Sequence, residues 1–157
     1  MSNKNRQEPW VIRTDFSDHE KWMAVCDLIA APQTLFGRSF RADVQFISNE
    51  NYARLECNKL VRSLPDDYLR LFCFVIDSTT LCSVGHPILV VGFSPKTGKL
   101  EDYQRTPKET PLSEIQTFRA IPSAIASIQI NLALANMDFE DFARAVDDDG
   151  VYRGFPQ

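Results

Sequence analysis

The stretch Leu69-Arg-Leu-Phe-Cys-Phe-Val-Ile76 is nearly continuous in apolar residues and stops abruptly at Asp77. A run of that length has no polar face to give to water, so it suits a central strand covered on both sides. Covering layers must come from the same chain, which therefore has to supply helices to both faces of a sheet. At 157 residues the chain is of ordinary size for one such domain.

The other periodic segments fit that frame. Trp10-Val-Ile-Arg-Thr14 reads as a first strand, and Ser17 and Glu20 then have capping-box spacing. Trp22, Val25, Cys26 and Ile29 follow at i, i+3, i+4 and i+7, the stripe of a half-buried helix, with Pro32 just beyond its end. A looser stretch with Gly37 leads to a short strand over Ala42–Ile47. The stripe at Cys57, Leu60, Val61 and Leu64 predicts a second helix over roughly residues 51 to 64.

After the apolar run, Pro87–Phe93 is the next strand, reached from Asp77 without a helix, and Pro95-Lys-Thr-Gly98 turns the chain. Residues 100 to 114 form a polar excursion with two prolines, and Gln116–Ile121 is a further strand. Residues 125 to 135 are open between strand and helix: Ile128, Ile130, Leu132 and Leu134 alternate, while Ile125, Ile128, Leu132 and Ala135 keep helical spacing. Alanine content and length favour helix. A last helix starts at Asp138, carries Phe139, Phe142, Ala143 and Val146 on one face, and stops at Gly150.

The order β-α-β-α-β-β-β-α-α predicts an α/β fold: a single domain over residues 9–157 behind a polar tail of residues 1–8. Its mixed sheet has about five strands covered by about four helices. The early βαβ units imply parallel pairing, and the connection from Asp77 to Pro87 an antiparallel neighbour.

Charge narrows the partners. The net charge is −4, with no run of Lys and Arg, which speaks against nucleic acid as a partner. No segment has the apolar length of a membrane span, and the polar start lacks a secretory signal, so a cytoplasmic location is expected. The cysteines, Cys26, Cys57, Cys73 and Cys82, are widely spaced and read as reduced thiols.

Motifs for cofactors or metals fall short. Between Gly92 and Gly98 there is one residue too many for a phosphate loop, and Leu100 stands where a hydroxyl would hold magnesium. Asp147-Asp-Asp-Gly150 has its glycine two positions early for a calcium loop. These acids follow the negative end of a helix, and pairing with Arg144 or Arg153 would relieve them. Cys82 and His86 have zinc-like spacing without the further ligands. Neither a cofactor nor a metal is expected.

The constellation with most chemical content is positional. Ligands of α/β sheets gather beyond the carboxyl ends of strands. Asp15 follows the first strand and Asp77 the apolar one, so parallel pairing would bring the two carboxylates together. Arg119 would supply a counter-charge, and proximity would drive the carboxyl pKa values apart for acid–base work. Arg13, Thr14 and Thr79 would add ligand contacts, with Asn131, Asn136 and Asp138 as a second polar group. The competing structural role is capping: Asp15 for a helix, Asp77 for a turn.

Several segments carry a resemblance. Arg13-Thr-Asp-Phe-Ser-x-x-x-x-Trp22, Asp77-x-Thr-Thr-Leu81, His86-Pro-x-Leu-Val-Val91 and Phe118-Arg-x-Ile-Pro-Ser123 belong to it. So does the tail from Asn131 through Asn136-Met-Asp-Phe-Glu-Asp-Phe-Ala143 to Val146-Asp-Asp-Asp-Gly-Val-Tyr-Arg-Gly-Phe155. Together they resemble an uncharacterised domain-of-unknown-function family of small, mainly bacterial proteins. The resemblance covers nearly the whole chain, although Lys96 to Thr117 is longer than it implies. It implies a shared pattern containing Asp15, Asp77, Arg119, Asn136, Asp138 and Arg153, and no particular activity.

Two function classes follow. One is a non-enzymatic, immunity-like or regulatory module that uses an acidic face to bind a basic protein or a small molecule. The other is a cofactor-independent isomerase, cyclase or hydro-lyase with Asp15 or Asp77 as base and Arg119 stabilising developing negative charge.

Overall fold

The structure is a computed structural model that describes residues 7–35 and 37–155. The chain opens with β1 (Trp10–Arg13), α1 (His19–Ala30), β2 (Gln33–Leu35), β3 (Arg38–Phe40) and β4 (Gln45–Ile47). It continues through α2 (Cys57–Ser63), β5 (Phe72–Ile76), α3 (Ser78–Cys82), β6 (Ile88–Gly92) and β7 (Gln116–Ala120), and ends with α4 (Ile125–Ala133), α5 (Phe139–Ala143) and β8 (Val151–Tyr152). The main sheet has six strands in the order β4-β1-β5-β6-β7-β8. Pairing is parallel for β4–β1–β5 and β7–β8 and antiparallel for β5–β6–β7, the mixed α/β sheet that the sequence implies.

All of β5 is buried. Phe72, Phe74 and Ile76 face a core with Val11, Trp22, Ile29, Val90, Phe118, Ile128 and Phe142, under α1, α4 and α5. Cys73 and Val75 face the other core, built from Ile12, Leu60, Val61, Leu64, Tyr68 and Phe93 under α2. Each large side chain so buried contributes roughly 1.5–3 kcal/mol. Residues 125 to 135 resolve as helix: Ile125 and Ile128 enter the first core, and Gln129 Oε1 accepts from the Asp43 N–H at 3.0 Å, tying α4 to the approach to β4.

Several expectations are corrected. Asp18, not Ser17, caps α1, its side chain accepting from the Lys21 N–H at 3.0 Å. The predicted helix over 51–64 divides into a 3-10 turn (Glu50–Tyr52) and the shorter α2. Arg54 breaks it with φ 62, which lets its N–H donate to the Thr14 carbonyl at 2.8 Å. The link from Asp77 to Pro87 is not helix-free, because Asp77 caps α3 in a reciprocal capping box with Thr80. Gly37 belongs to the β2–β3 hairpin. Gly150, at φ 80, turns the chain into β8 instead of stopping the last helix, which ends at Ala143. With β8 the main sheet gains a strand over the expected count.

No helix among the described residues is long and apolar enough to cross a membrane.

Gly92 has a packing role that its place in a failed phosphate-loop pattern hides. A Cβ there would lie 2.5 to 2.8 Å from ring atoms of Phe139, whose ring packs tilted against Phe118 with centroids 4.9 Å apart. Gly92→Ala is expected to destabilise the domain by about 1–3 kcal/mol in urea unfolding. In a Phe139→Ala background the same change should cost less than about 1 kcal/mol, a non-additivity that a double-mutant cycle reads directly.

Candidate functional site

β1 and β5 run side by side, with Arg13 in register with Ile76 and the Thr14 N–H donating to the Ile76 carbonyl at 3.1 Å. Asp15 and Asp77 therefore leave the sheet at the same edge. Arg119 reaches that edge from β7, across the start of β6, with Nη1 3.0 Å from Asp77 Oδ1 and Nη2 2.7 Å from Oδ2. The sheet thus brings together the three residues expected at the strand ends.

Their surroundings differ from the expected acid–base pair. Asp77 Oδ1 also accepts the Thr80 N–H at 3.0 Å, and the Pro87 carbonyl accepts from both Arg119 Nη1 (3.2 Å) and Thr80 Oγ1 (2.8 Å). Burial pushes the Asp77 carboxyl upward, but Arg119 and Thr80 outweigh it and hold the group below its ordinary value. Asp15 Oδ1 accepts from Ser17 Oγ at 2.6 Å and from the Ser17 N–H at 2.8 Å, and these bonds lower its carboxyl as well. Each carboxylate has its own donors, so both shift downward and their pKa values are not driven apart as a shared proton would require. The expected capping roles are exchanged: Asp15 holds a local turn with Ser17 while Asp18 caps α1, and Asp77 caps the helix α3.

Beyond these residues lies an open cleft of about 880 Å³, lined by Thr14, Asp15, Ser17, Glu50, Arg54 and Asp77 among others. Glu50 and Arg54 were not singled out by the sequence. Glu50 lies just before the helix expected over roughly residues 51 to 64 and Arg54 falls inside it, and nothing local announces a left-handed arginine. Among the described residues, neither Asp15, Glu50 nor Arg54 takes part in an ion pair.

The remaining expected ligand contacts scatter. Arg13 is buried on the α1 side of the sheet, 4.5 Å from the Phe16 ring centroid and 5.3 Å from that of Trp22. Its Nε donates to the Asp15 carbonyl at 3.1 Å and its Nη1 to His19 Nδ1 at 3.1 Å, so it braces the Asp15 turn from below. Thr79 is exposed in the first turn of α3. Asn131 bonds within its own helix, donating to the Ser127 carbonyl at 2.9 Å. Asn136 is exposed, and Asp138 opens α5 in a capping box with Asp141. Asp138 shares a groove with Phe72 and Ser94, at the beginning of β5 and beyond the end of β6, the opposite sheet edge from Asp77. The second polar group thus does not join the first.

Other charged and soft groups have structural partners. Arg153 pairs with Asp147 (2.8 Å) and Asp149 (2.6 Å), the relief expected for that acidic run. His86 Nδ1 lies 2.9 Å from the Thr80 carbonyl, which requires the proton on Nδ1. No group of three or more His, Cys, Asp or Glu among the described residues is arranged to hold a metal ion. Burial raises the Cys26 thiol to about 12 and Cys57 to about 11, and raises Cys73 further, so these are protonated side chains.

The fold and the site define a small mixed-sheet α/β domain with a charged cleft where parallel strands end. The chain belongs to the family described as a domain of unknown function (DUF6924), whose model matches residues 8–155. No curated protein and no solved structure matches it.

The Asp77–Arg119 pair gives a stability prediction. Asp77→Asn should cost about 1–3 kcal/mol, since a charged hydrogen-bond network is broken while Arg119 stays partly buried. Asp15→Asn should change stability by less than about 0.5 kcal/mol, because Asn accepts the same turn hydrogen bonds. The Asp77 carboxyl is depressed in the folded state relative to about 4 in the unfolded chain. Its stabilisation is therefore complete above that pH and is lost as the pH falls through the folded value. Urea unfolding from pH 7 to 2.5 should show the gap between wild type and Asp77→Asn closing below about pH 4.

Proposed function

We propose that this protein is a non-enzymatic binding module, immunity-like or regulatory in kind, that accepts a basic group of a partner protein in the strand-end cleft. One observation carries the reading: Asp15, its carboxyl lowered by Ser17, stands at the wall of a cleft that also contains Glu50, and among the described residues neither carboxylate takes part in an ion pair. A carboxyl with a lowered pKa is a weak base but a lasting anion, suited to attracting a guanidinium or ammonium.

The enzymatic alternative, an isomerase, cyclase or hydro-lyase, would need a carboxyl poised near neutrality and a free Arg119. Both carboxyls are shifted the other way, and Arg119 is committed to Asp77. The acidic run at residues 147 to 149 supports the acidic face less than its sequence implies, because Arg153 neutralises part of it. Free thiols at Cys26, Cys57, Cys73 and Cys82 suit a reducing compartment, and the cytoplasm is the proposed location.

The test is an NMR titration of ¹⁵N-labelled protein with acetylated, amidated tri-arginine at low salt and at about 0.3 M salt. Shifts should centre on residues 14–17 and 50–55, and affinity should fall about tenfold or more with salt and again in the Asp15→Asn/Glu50→Gln variant. Shifts confined to other surfaces, or a double variant that binds as wild type does, would remove the cleft from the proposal.

A further inference from the structure

Arg54 occupies a backbone conformation at φ 62 that penalises any Cβ and that glycine adopts freely. The turn itself requires only the backbone, since the N–H donated to Thr14 would be present in glycine too. What glycine would lack is the guanidinium, carried by an exposed residue at the same cleft as Asp15 and the exposed Glu50. An outlier of this kind at a cleft is a reason to ask what the side chain contacts.

The arrangement of charge answers in part. Arg54 shares a cleft with two anionic side chains, yet no carboxylate among the described residues lies within ion-pairing distance of it. A purely cationic ligand entering beside Asp15 and Glu50 would meet the repulsion of Arg54 and leave that charge unused. A ligand carrying both signs meets complementary groups on each side: its cation faces the carboxylates, and its carboxylate is taken by a guanidinium built for two parallel N–H···O bonds. The cleft volume, about 880 Å³, lies at the large end of small-ligand sites (about 300–1,000 Å³) and has room for the end of a peptide.

Resting on the reading of the cleft as a receptor for a basic group, we infer that its ligand also presents a free carboxylate, which Arg54 selects. The chemistry is that of a basic amino acid with its α-carboxyl free. It can come from a polypeptide C-terminus ending in Arg or Lys, or from the free amino acid.

Isothermal titration with acetyl-Gly-Gly-Arg as free acid, the same peptide as amide, and L-arginine tests this. The acid should bind wild type at least about fivefold tighter than the amide. Arg54→Gly and Arg54→Gln should both erase that preference. Arg54→Gly should also melt at or above the wild-type temperature, because glycine relieves the backbone, so its loss of preference cannot come from unfolding. Tight binding of the tripeptide acid alone assigns a polypeptide C-terminus, and equal binding of L-arginine assigns the free amino acid; both support the inference. Equal affinity for acid and amide, with both lost in Asp15→Asn/Glu50→Gln, overturns the carboxylate requirement and leaves the cationic site standing. A preference that survives in Arg54→Gly removes Arg54 from it. Failure of every probe to bind overturns the inference together with the reading beneath it.

Discussion

The two-sided burial of β5 is the constraint from which the rest of the architecture follows. A strand whose residues are all buried offers water neither face, so helices and turns must close over both sides of the sheet. Charged groups are then restricted to the strand ends, where backbone bonding runs out and solvent begins. Asp77 stands at that limit. Its carboxylate caps α3 and meets Arg119 from β7, so the ends of β5, β6 and β7 are joined by one polar network above an apolar interior.

Within that edge, position separates two carboxylates of the same chemistry. Asp77 lies over the middle of the sheet, half-buried, and Arg119 approaches it across β6. A charge so placed must be paired or it destabilises the fold. Asp15 lies one strand further out, where Ser17 satisfies Oδ1 within a local turn and the group stays at the wall of the cleft. The first is committed to the scaffold; the second remains an available anion. Arg13, buried against Phe16 and Trp22, fixes the turn that presents it.

How much of this the sequence carried depends on how local each cause is. The continuous apolar run, the Trp22–Ile29 stripe and the parallel placement of Asp15 beside Asp77 could be read because periodicity and strand-end logic act over short distances. β8 could not, since two residues hold no period and its pairing with β7 is decided by tertiary contact. The short α3 stayed hidden because Ser78-Thr-Thr is weakly helical and depends on the Asp77 cap. Arg54 was hidden for the opposite reason: its segment looked like unbroken helix, and the break comes from Thr14, 40 positions earlier, accepting its N–H. Asn131, Asn136 and Asp138 were grouped by nearness in sequence, which does not say that Asn131 bonds within its own helix while Asp138 opens the next one at the other sheet edge.

The strand-end edge therefore contains two populations of polar groups with different duties. Asp77, Thr80 and Arg119 satisfy one another and hold the strand ends in place. Asp15, Glu50 and Arg54 line the space in front of them with no ion pair among the described residues, and one of the three holds a backbone conformation that its side chain makes less favourable. A site that must bind charged groups benefits from this division. Groups fixed by the fold lose little freedom on binding, while groups left without partners keep their interaction energy for the ligand. Acid–base catalysis would call for a different division, with a carboxyl released from its hydrogen bonds and moved toward neutrality. On the proposed reading the edge serves recognition and not proton transfer, because the hydrogen bonds to Asp15 and Asp77 hold both carboxyls below their ordinary value.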